Sequence, residues 1–268
     1  MPNAFDNPEG LVLADSVLTG ALASVDAHGA ACRIRSFRAL YLAMEPWVIE
    51  EILPPRVASA EAFHDPPGVE LFAEEEALVA TAVEKRRREF ATGRHCARAA
   101  LAALGLPPAP VLRGERGAPR WPPGIVGSTT HRAGYRAAAA ACDQDALTVG
   151  LDAEPDQPLP RLVLGAVSLP AERAMPRELA AAAPASCWDR LLFSAKESVY
   201  KAWFPLNGRW LGFTDAAITI SPADGTFEAR PLVAGAEAGG RSLTGFTGRW
   251  LARDGLIVTA IAVPAAAP

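Results

Sequence analysis

"VGLDAEPD", residues 149–156, decides how this chain is read: an apolar run through Val149 and Leu151 ends in two carboxylates one residue apart, with a proline behind the second. Such a run reads as a buried strand, and side chains at i and i+2 of a strand leave the same face. Asp152 and Glu154 therefore sit side by side. Two anions so placed repel unless something positive lies between them, and a hard divalent cation with oxygen ligands is the usual candidate. An acidic loop after a strand is the alternative that this stretch alone leaves open.

Forty residues on, "FSAKESVYKAW" (193–203) sets Lys196, Glu197 and Lys201 into an otherwise apolar helix. Trp188, Leu191, Leu192, Ala195, Val199 and Ala202 recur at helical spacing, which predicts a helix over 188–203 stopped by Pro205. Glu197 and Lys201 are i and i+4 and can pair as an ordinary surface salt bridge. Phe193, Tyr200 and Trp203 argue instead for a mostly buried helix, where charges without partners are costly. Glu197 would then complete the ligand set begun by Asp152 and Glu154, with the lysines facing the anions held there.

Working outward, Glu84 to Leu104 keeps Phe90, Ala97, Leu101 and Leu104 on one face and arginines elsewhere, an amphipathic helix closed by Gly105 and Pro107-Pro108. A glycine- and proline-punctuated loop follows. "IVGSTTH" (125–131) and "YRAAAAAC" (135–142) read as strands, and a boundary between two halves falls near residue 145. Trp47 to Ile52 reads as a further strand, Leu71 to Thr81 as a helix, and a short helix lies between the proline-rich stretches 155–160 and 180–185. The remainder predicts hairpins, 216–220 with 227–231 and 246–252 with 256–263 across Asp254-Gly255. Residues 1–43 show no sustained periodicity and read as an N-terminal extension.

The 268 residues are half apolar, enough for a sizeable core. No apolar run approaches the roughly 20 residues of a membrane span. The first residues are acidic where a secretory leader would be basic, so a cytoplasmic protein is expected. Its four cysteines form no metal-type spacing and are expected to be reduced. The net charge of −4 is uneven: residues 84–136 hold eleven Lys and Arg against three acids, which leaves −12 on the rest. The basic segment suits a polyanionic ligand, while the acidic whole speaks against nonspecific nucleic-acid binding. An arginine-rich solvated helix face is the alternative.

Taken together, "VGLDAEP", then "AKESVYK", with "RGERGAPRWPPGIVGSTTH" (113–131) and "KRRREFATGRHCARAAL" (85–101) upstream, resemble the 4'-phosphopantetheinyl transferases of the Sfp type, and their actinobacterial members in particular. The resemblance spans roughly residues 47–263. It departs where the family's Ser-His pair becomes Thr130-His131, and it leaves residues 1–43 without a counterpart.

The resemblance implies an α+β fold, a pseudo-dimer of two similar halves (44–145 and 146–268), each a long helix on a small antiparallel sheet, with the site in the cleft between them. It implies transfer of phosphopantetheine from coenzyme A to a serine of an acyl or peptidyl carrier protein, by a monomer. Asp152, Glu154 and Glu197 would hold Mg²⁺, or Mn²⁺ in its place, and Glu197 would act as base. Lys196 and Lys201 would lie on the phosphates, with Lys201 also counted as catalytic. Arg86, Arg94 and His131 would serve the 3'-phosphate, Arg113 and Arg116 the loop passing the adenine and its phosphates, and Thr130 is counted with them among the coenzyme A-binding residues. Phe204, Trp210 and Phe213 are candidate carrier contacts, with core packing as the alternative. A magnesium-dependent nucleotide or pyrophosphate hydrolase, and a noncatalytic coenzyme A or phosphate-binding module, are the rival readings.

Overall fold

The computed structural model describes residues 48–184 and 186–265. The expected extension over 1–43 lies outside them. The described chain is mixed α/β with antiparallel sheets. Strands run in the order β1 (Ala58–Ala62), β2 (Leu112–Arg113), β3 (Pro119–Arg120), β4 (Ile125–Arg132), β5 (Tyr135–Cys142), β6 (Ala146–Pro155), β7 (Ala216–Ser221), β8 (Thr226–Pro231), β9 (Ala236–Ala238), β10 (Arg241–Leu243), β11 (Phe246–Arg253) and β12 (Leu256–Pro264). One sheet has the order β1-β5-β4 and the other β6-β12-β11-β8-β7, while β2 pairs only with β3 and β9 only with β10. Both expected long helices are present, Glu84–Ala103 and Trp188–Asn207.

The alanine run of β5 is fully buried because both its faces are covered. Ala138 packs with Cys96, Ala97 and Leu101 of the 84–103 helix. Ala137, Ala139 and Ala141 join Val149, Leu151 and Ala153 of β6 and Val258 and Ala260 of β12 in a second cluster. Odd-numbered residues of β6 thus enter this core, and the even-numbered Gly150, Asp152 and Glu154 are left for the opposite face, as period two requires.

That opposite face receives the 188–207 helix. A Cβ built on Gly150 would stand 2.1 Å from the Ser198 carbonyl oxygen and 2.8 Å from the Ala202 nitrogen, so the helix backbone rests on bare strand. Thr148 donates to the Ala202 carbonyl at 2.8 Å, and Thr259 of β12 donates to that of Ser194 at 3.0 Å. Strands β4 and β6 meet edge to edge through side chains: the β6 amides of Leu151 and Ala153 donate to Ser128 Oγ and Thr130 Oγ1, each at 3.1 Å. These hydroxyls take up N–H groups that an edge strand would otherwise bury unpaired.

Three expectations need correction. Residues 49–52 form a 3-10 turn, because Ile49 and Ile52, three apart, both enter the core, and an extended segment would send them to opposite faces. Pro205 does not stop the second helix, which continues to Asn207 and closes on Gly208 at φ +63°; so near the end, proline removes only a last-turn bond. Cys142 is disulfide-bonded, whereas Cys96 and Cys187 are free.

Candidate active site

Asp152 is 5% exposed near the end of β6, yet an ammonium and a hydroxyl bond to it. Lys201 Nζ donates to its Oδ1 at 2.7 Å and to the Leu151 carbonyl at 3.0 Å. Ser194 Oγ donates to Oδ2 at 2.9 Å. Ser194, Glu197 and Lys201 lie three and four residues apart on one helix face, so the bonds to Ser194 and Lys201 bracket Glu197 beside Asp152. Burial, and next the charge of Asp152, push the Glu197 carboxyl above its ordinary pKa, against the pull of Lys201. Glu154 is raised by the same two causes in the same order, while Arg190 holds one of its oxygens at 2.8 Å. The three predicted carboxylates therefore feel one another. Among the described residues, however, no group of three His, Cys, Asp or Glu stands ready to hold a metal ion.

On the β4 side, His131 is pulled below its ordinary pKa by desolvation and then by Arg86 and Lys201, so the ring is neutral at pH 7. Arg86 is exposed, and its ion pair among the described residues is a loose 3.9 Å contact to Glu89. Beneath them, Arg136 pairs with Asp65 at 3.0 Å, and Thr92 donates to Asp65 at 2.7 Å. An anion approaching here meets Arg86, Lys201 and a ring with room for a proton.

The comparisons agree in one direction. Residues 74–141 match the family model of the 4'-phosphopantetheinyl transferase N-terminal domain, and residues 148–243 match that of the 4'-phosphopantetheinyl transferase superfamily. The 4'-phosphopantetheinyl transferase Svp of Streptomyces mobaraensis is 56% identical over 223 residues, 82% of this chain and 91% of the relative. PptT of Mycobacterium tuberculosis is 51% identical over 80% of this chain and 97% of its own, and Npt of Nocardia iowensis 52% identical over 80% and 99%. The chain belongs to the 4'-phosphopantetheinyl transferases. The hydrolase alternative finds no support among these relatives.

Within this transferase the remaining predicted residues fall in different places. Arg94 is 8% exposed, stacks on the Phe90 ring at 4.3 Å, and leaves its Nε without a hydrogen-bond partner among the described residues. Desolvation brings its pKa down to about 10. Thr130 spends its hydroxyl on the Ala153 amide, with Asp152 3.5 Å away, so its first task is to join the strands. Arg113 and Arg116 are exposed on the β2–β3 loop, and Arg116 reaches across to lie 5.5 Å over the ring of Trp210. Phe204 is buried, Phe213 stacks on Phe193, and Trp210 is 59% exposed.

Lys196 departs from its expected place on the phosphates. It is 3% exposed, and its Nζ pairs with Glu172 at 2.8 Å and donates to the carbonyls of Phe213 at 2.6 Å and Ala216 at 2.8 Å. Glu172 in turn accepts from the amides of Leu169 and Ile218, both at 2.7 Å. An ammonium offers three protons, and these acceptors use them all. Beside Lys196 and Glu197, a recess of about 430 Å³ open to solvent is lined by Tyr200, Trp210, Leu211 and Phe213.

The sequence reading missed Arg190 and Ser194. Both were legible by spacing, since Ser194 lies three residues before Glu197 and Arg190 one further turn back.

Proposed function

We propose that this transferase moves the 4'-phosphopantetheine group of coenzyme A onto a serine of an acyl or peptidyl carrier protein and releases adenosine 3',5'-bisphosphate. The observation that carries this reading is the meeting of Asp152, Glu197 and Lys201 where β6 runs under the 188–207 helix, beside the exposed guanidinium of Arg86 and the ring of His131.

The serine oxygen bonds to the phosphorus bearing the pantetheine, the bond from that phosphorus to the bridging oxygen breaks, and the electron pair leaves with the adenosine bisphosphate. Glu197 takes the serine proton. Its affinity for a proton, raised by burial and then by Asp152, suits a general base, and Lys201 one turn away opposes that rise. Lys201 also offsets charge gathering on the bridging oxygen. Arg86, Arg94 and His131 receive the 3'-phosphate; the Nε of Arg94 makes no hydrogen bond among the described residues and lies 3.8 Å from the buried Glu75 carboxylate, which fixes the charge in place. Arg113 and Arg116 pass the adenine.

Asp152, Glu154 and Glu197 fit a divalent ion by their donor chemistry: they are hard oxygens, and burial and then the charge of Asp152 raise the two glutamates, a strain that a cation relieves. Mg²⁺, or Mn²⁺ in its place, would neutralise the pyrophosphate there. The two long helices, each on its own antiparallel sheet and joined through the β4–β6 edge, support a pseudo-dimer with the site at its seam. We keep the reading of a cytoplasmic monomer. Among the described residues, no helix is long and apolar enough to cross a membrane.

The test is incubation with apo carrier protein, coenzyme A and Mg²⁺, followed by intact mass. Carrier heavier by one phosphopantetheine is expected, and Glu197→Gln should abolish it. Adenosine bisphosphate released without carrier modification would refute the transfer, and binding without turnover would favour the noncatalytic module.

A further inference from the structure

The first turn of the 188–207 helix grips the segment that follows β6. Arg190 uses its whole fork: Nη1 donates to Glu154 Oε2 at 2.8 Å, Nε to the Gln157 carbonyl at 3.0 Å, and Nη2 to the Pro158 carbonyl at 3.1 Å. Two further bonds run between the same segments, from the Leu159 amide to Asp189 at 3.0 Å and from the Cys187 amide to Asp156 at 2.7 Å. Asp152 is fixed from above by Ser194 and Lys201, but Glu154 sits next to Pro155 at the strand's end, and Arg190 is its one ion-pair partner among the described residues.

We infer that Arg190 is a positioning residue: it holds the Glu154 carboxylate beside Asp152 and so sets the affinity of the carboxylate site for its divalent ion. This rests on the reading of Asp152, Glu154 and Glu197 as the ion's ligands. The physical reason is the shape of the group. A guanidinium held by two backbone carbonyls has a fixed direction in space, and the carboxylate bonded to its third nitrogen inherits that direction. Among the described residues only one oxygen of Glu154 is taken, which leaves the other for a second cation. Lysine would keep the charge and lose the direction. Partners that orient a ligand in this way typically contribute about 10- to 100-fold to metal affinity.

The experiment is calorimetric titration of the full chain with Mn²⁺ alone, with the melting temperature recorded for every variant. Arg190→Ala is expected to weaken Mn²⁺ binding about tenfold or more. Asp189→Ala, which loosens the same segment at Leu159 and frees the Arg190 amide without removing any bond of the Arg190 fork to Glu154, should leave the affinity near that of wild type. Arg190→Lys should fall between wild type and Arg190→Ala. If the alanine variant does not fold, the lysine variant decides, and wild-type affinity there overturns the proposal. Equal losses in Asp189→Ala and Arg190→Ala would show general loosening and overturn it too, as would tighter binding on loss of Arg190, which would make the arginine a competitor for Glu154. Glu154→Gln separates the two levels. If it binds Mn²⁺ as wild type does, the ligand assignment itself fails; if it weakens binding while Arg190→Ala does not, only the positioning role fails.

Discussion

Gly150→Ala is the sharpest perturbation this fold offers, because the added methyl meets backbone on the helix that carries the site. Its Cβ would lie 2.1 Å from the Ser198 oxygen and 2.8 Å from the Ala202 nitrogen, and real Cβ atoms keep at least 3.0 Å. The helix has to retreat by about 0.9 Å, since neither obstructing atom can rotate away. Overpacking a closed core costs typically about 1–3 kcal/mol, and with backbone as the obstacle the upper end applies. For a domain of this size, about 3 kcal/mol lowers Tm by roughly 6–12 °C. The same retreat stretches the bonds from Lys201 and Ser194 to Asp152, now 2.7 and 2.9 Å. Misplacement of a catalytic group by about 1 Å costs on the order of 100-fold in rate.

The assay is paired: thermal melting, and carrier modification followed by mass at saturating coenzyme A. Gly150→Ala is expected to melt lower and to lose about 100-fold in kcat even at temperatures where it is fully folded. A variant with wild-type melting and wild-type kcat would show that strand and helix are not in the contact described. Gly93→Ala is the control. It lies inside the 84–103 helix with open space where a Cβ would go, and it should raise stability by about 0.8–1 kcal/mol.

Other expectations follow from single groups. Arg94→Ala should raise the apparent KM for coenzyme A with little change in kcat, and an unchanged KM in a folded variant would remove Arg94 from the 3'-phosphate. Lys196→Met leaves Glu172 as a buried unpaired anion and should destabilise by about 3–5 kcal/mol in urea titration; Lys201→Met leaves the buried Asp152 without its cation in the same way, so it should lose stability too and in addition abolish turnover. Burial raises the Glu61 carboxyl above its ordinary 4.5, although Tyr135 and the Val48 amide bond to it. The folded state therefore holds this proton more tightly than the unfolded one, and its contribution to stability falls as pH rises from 4.5 through the raised folded value. Glu61→Gln should flatten the decline of Tm with pH over that window, and a parallel decline in both proteins would refute the assignment.

How much of this was legible in advance depended on whether a residue's role was set locally or by what packs against it. Period two placed Asp152 and Glu154 on one face of β6, and period 3.6 placed Glu197 and Lys201 together, because both periods are properties of the backbone. The alanine run of β5 was readable as a strand, though not as one pressed between a helix and a second sheet. Ser128 and Thr130 show the limit from the other side. The resemblance implies a ligand-binding role for Thr130 alone, yet both hydroxyls accept from β6 amides, a demand that arises only once two sheet edges meet.

Lys196 and Lys201 make the same point within one helix. They are five residues apart, which on a 3.6-residue turn separates them by about 140°, so one helix cannot present both to a single ligand when it is packed on two sides. The helix faces β6 with Lys201 and the β7 side with Lys196, and each lysine meets the acid that its own side supplies, Asp152 or Glu172. Glu197 lies between them and lines the recess beside Lys196 while feeling the charge of Asp152. Periodicity sets the two lysines apart, but it takes Glu172, from a segment 24 residues upstream of Lys196, to turn that separation into two different roles.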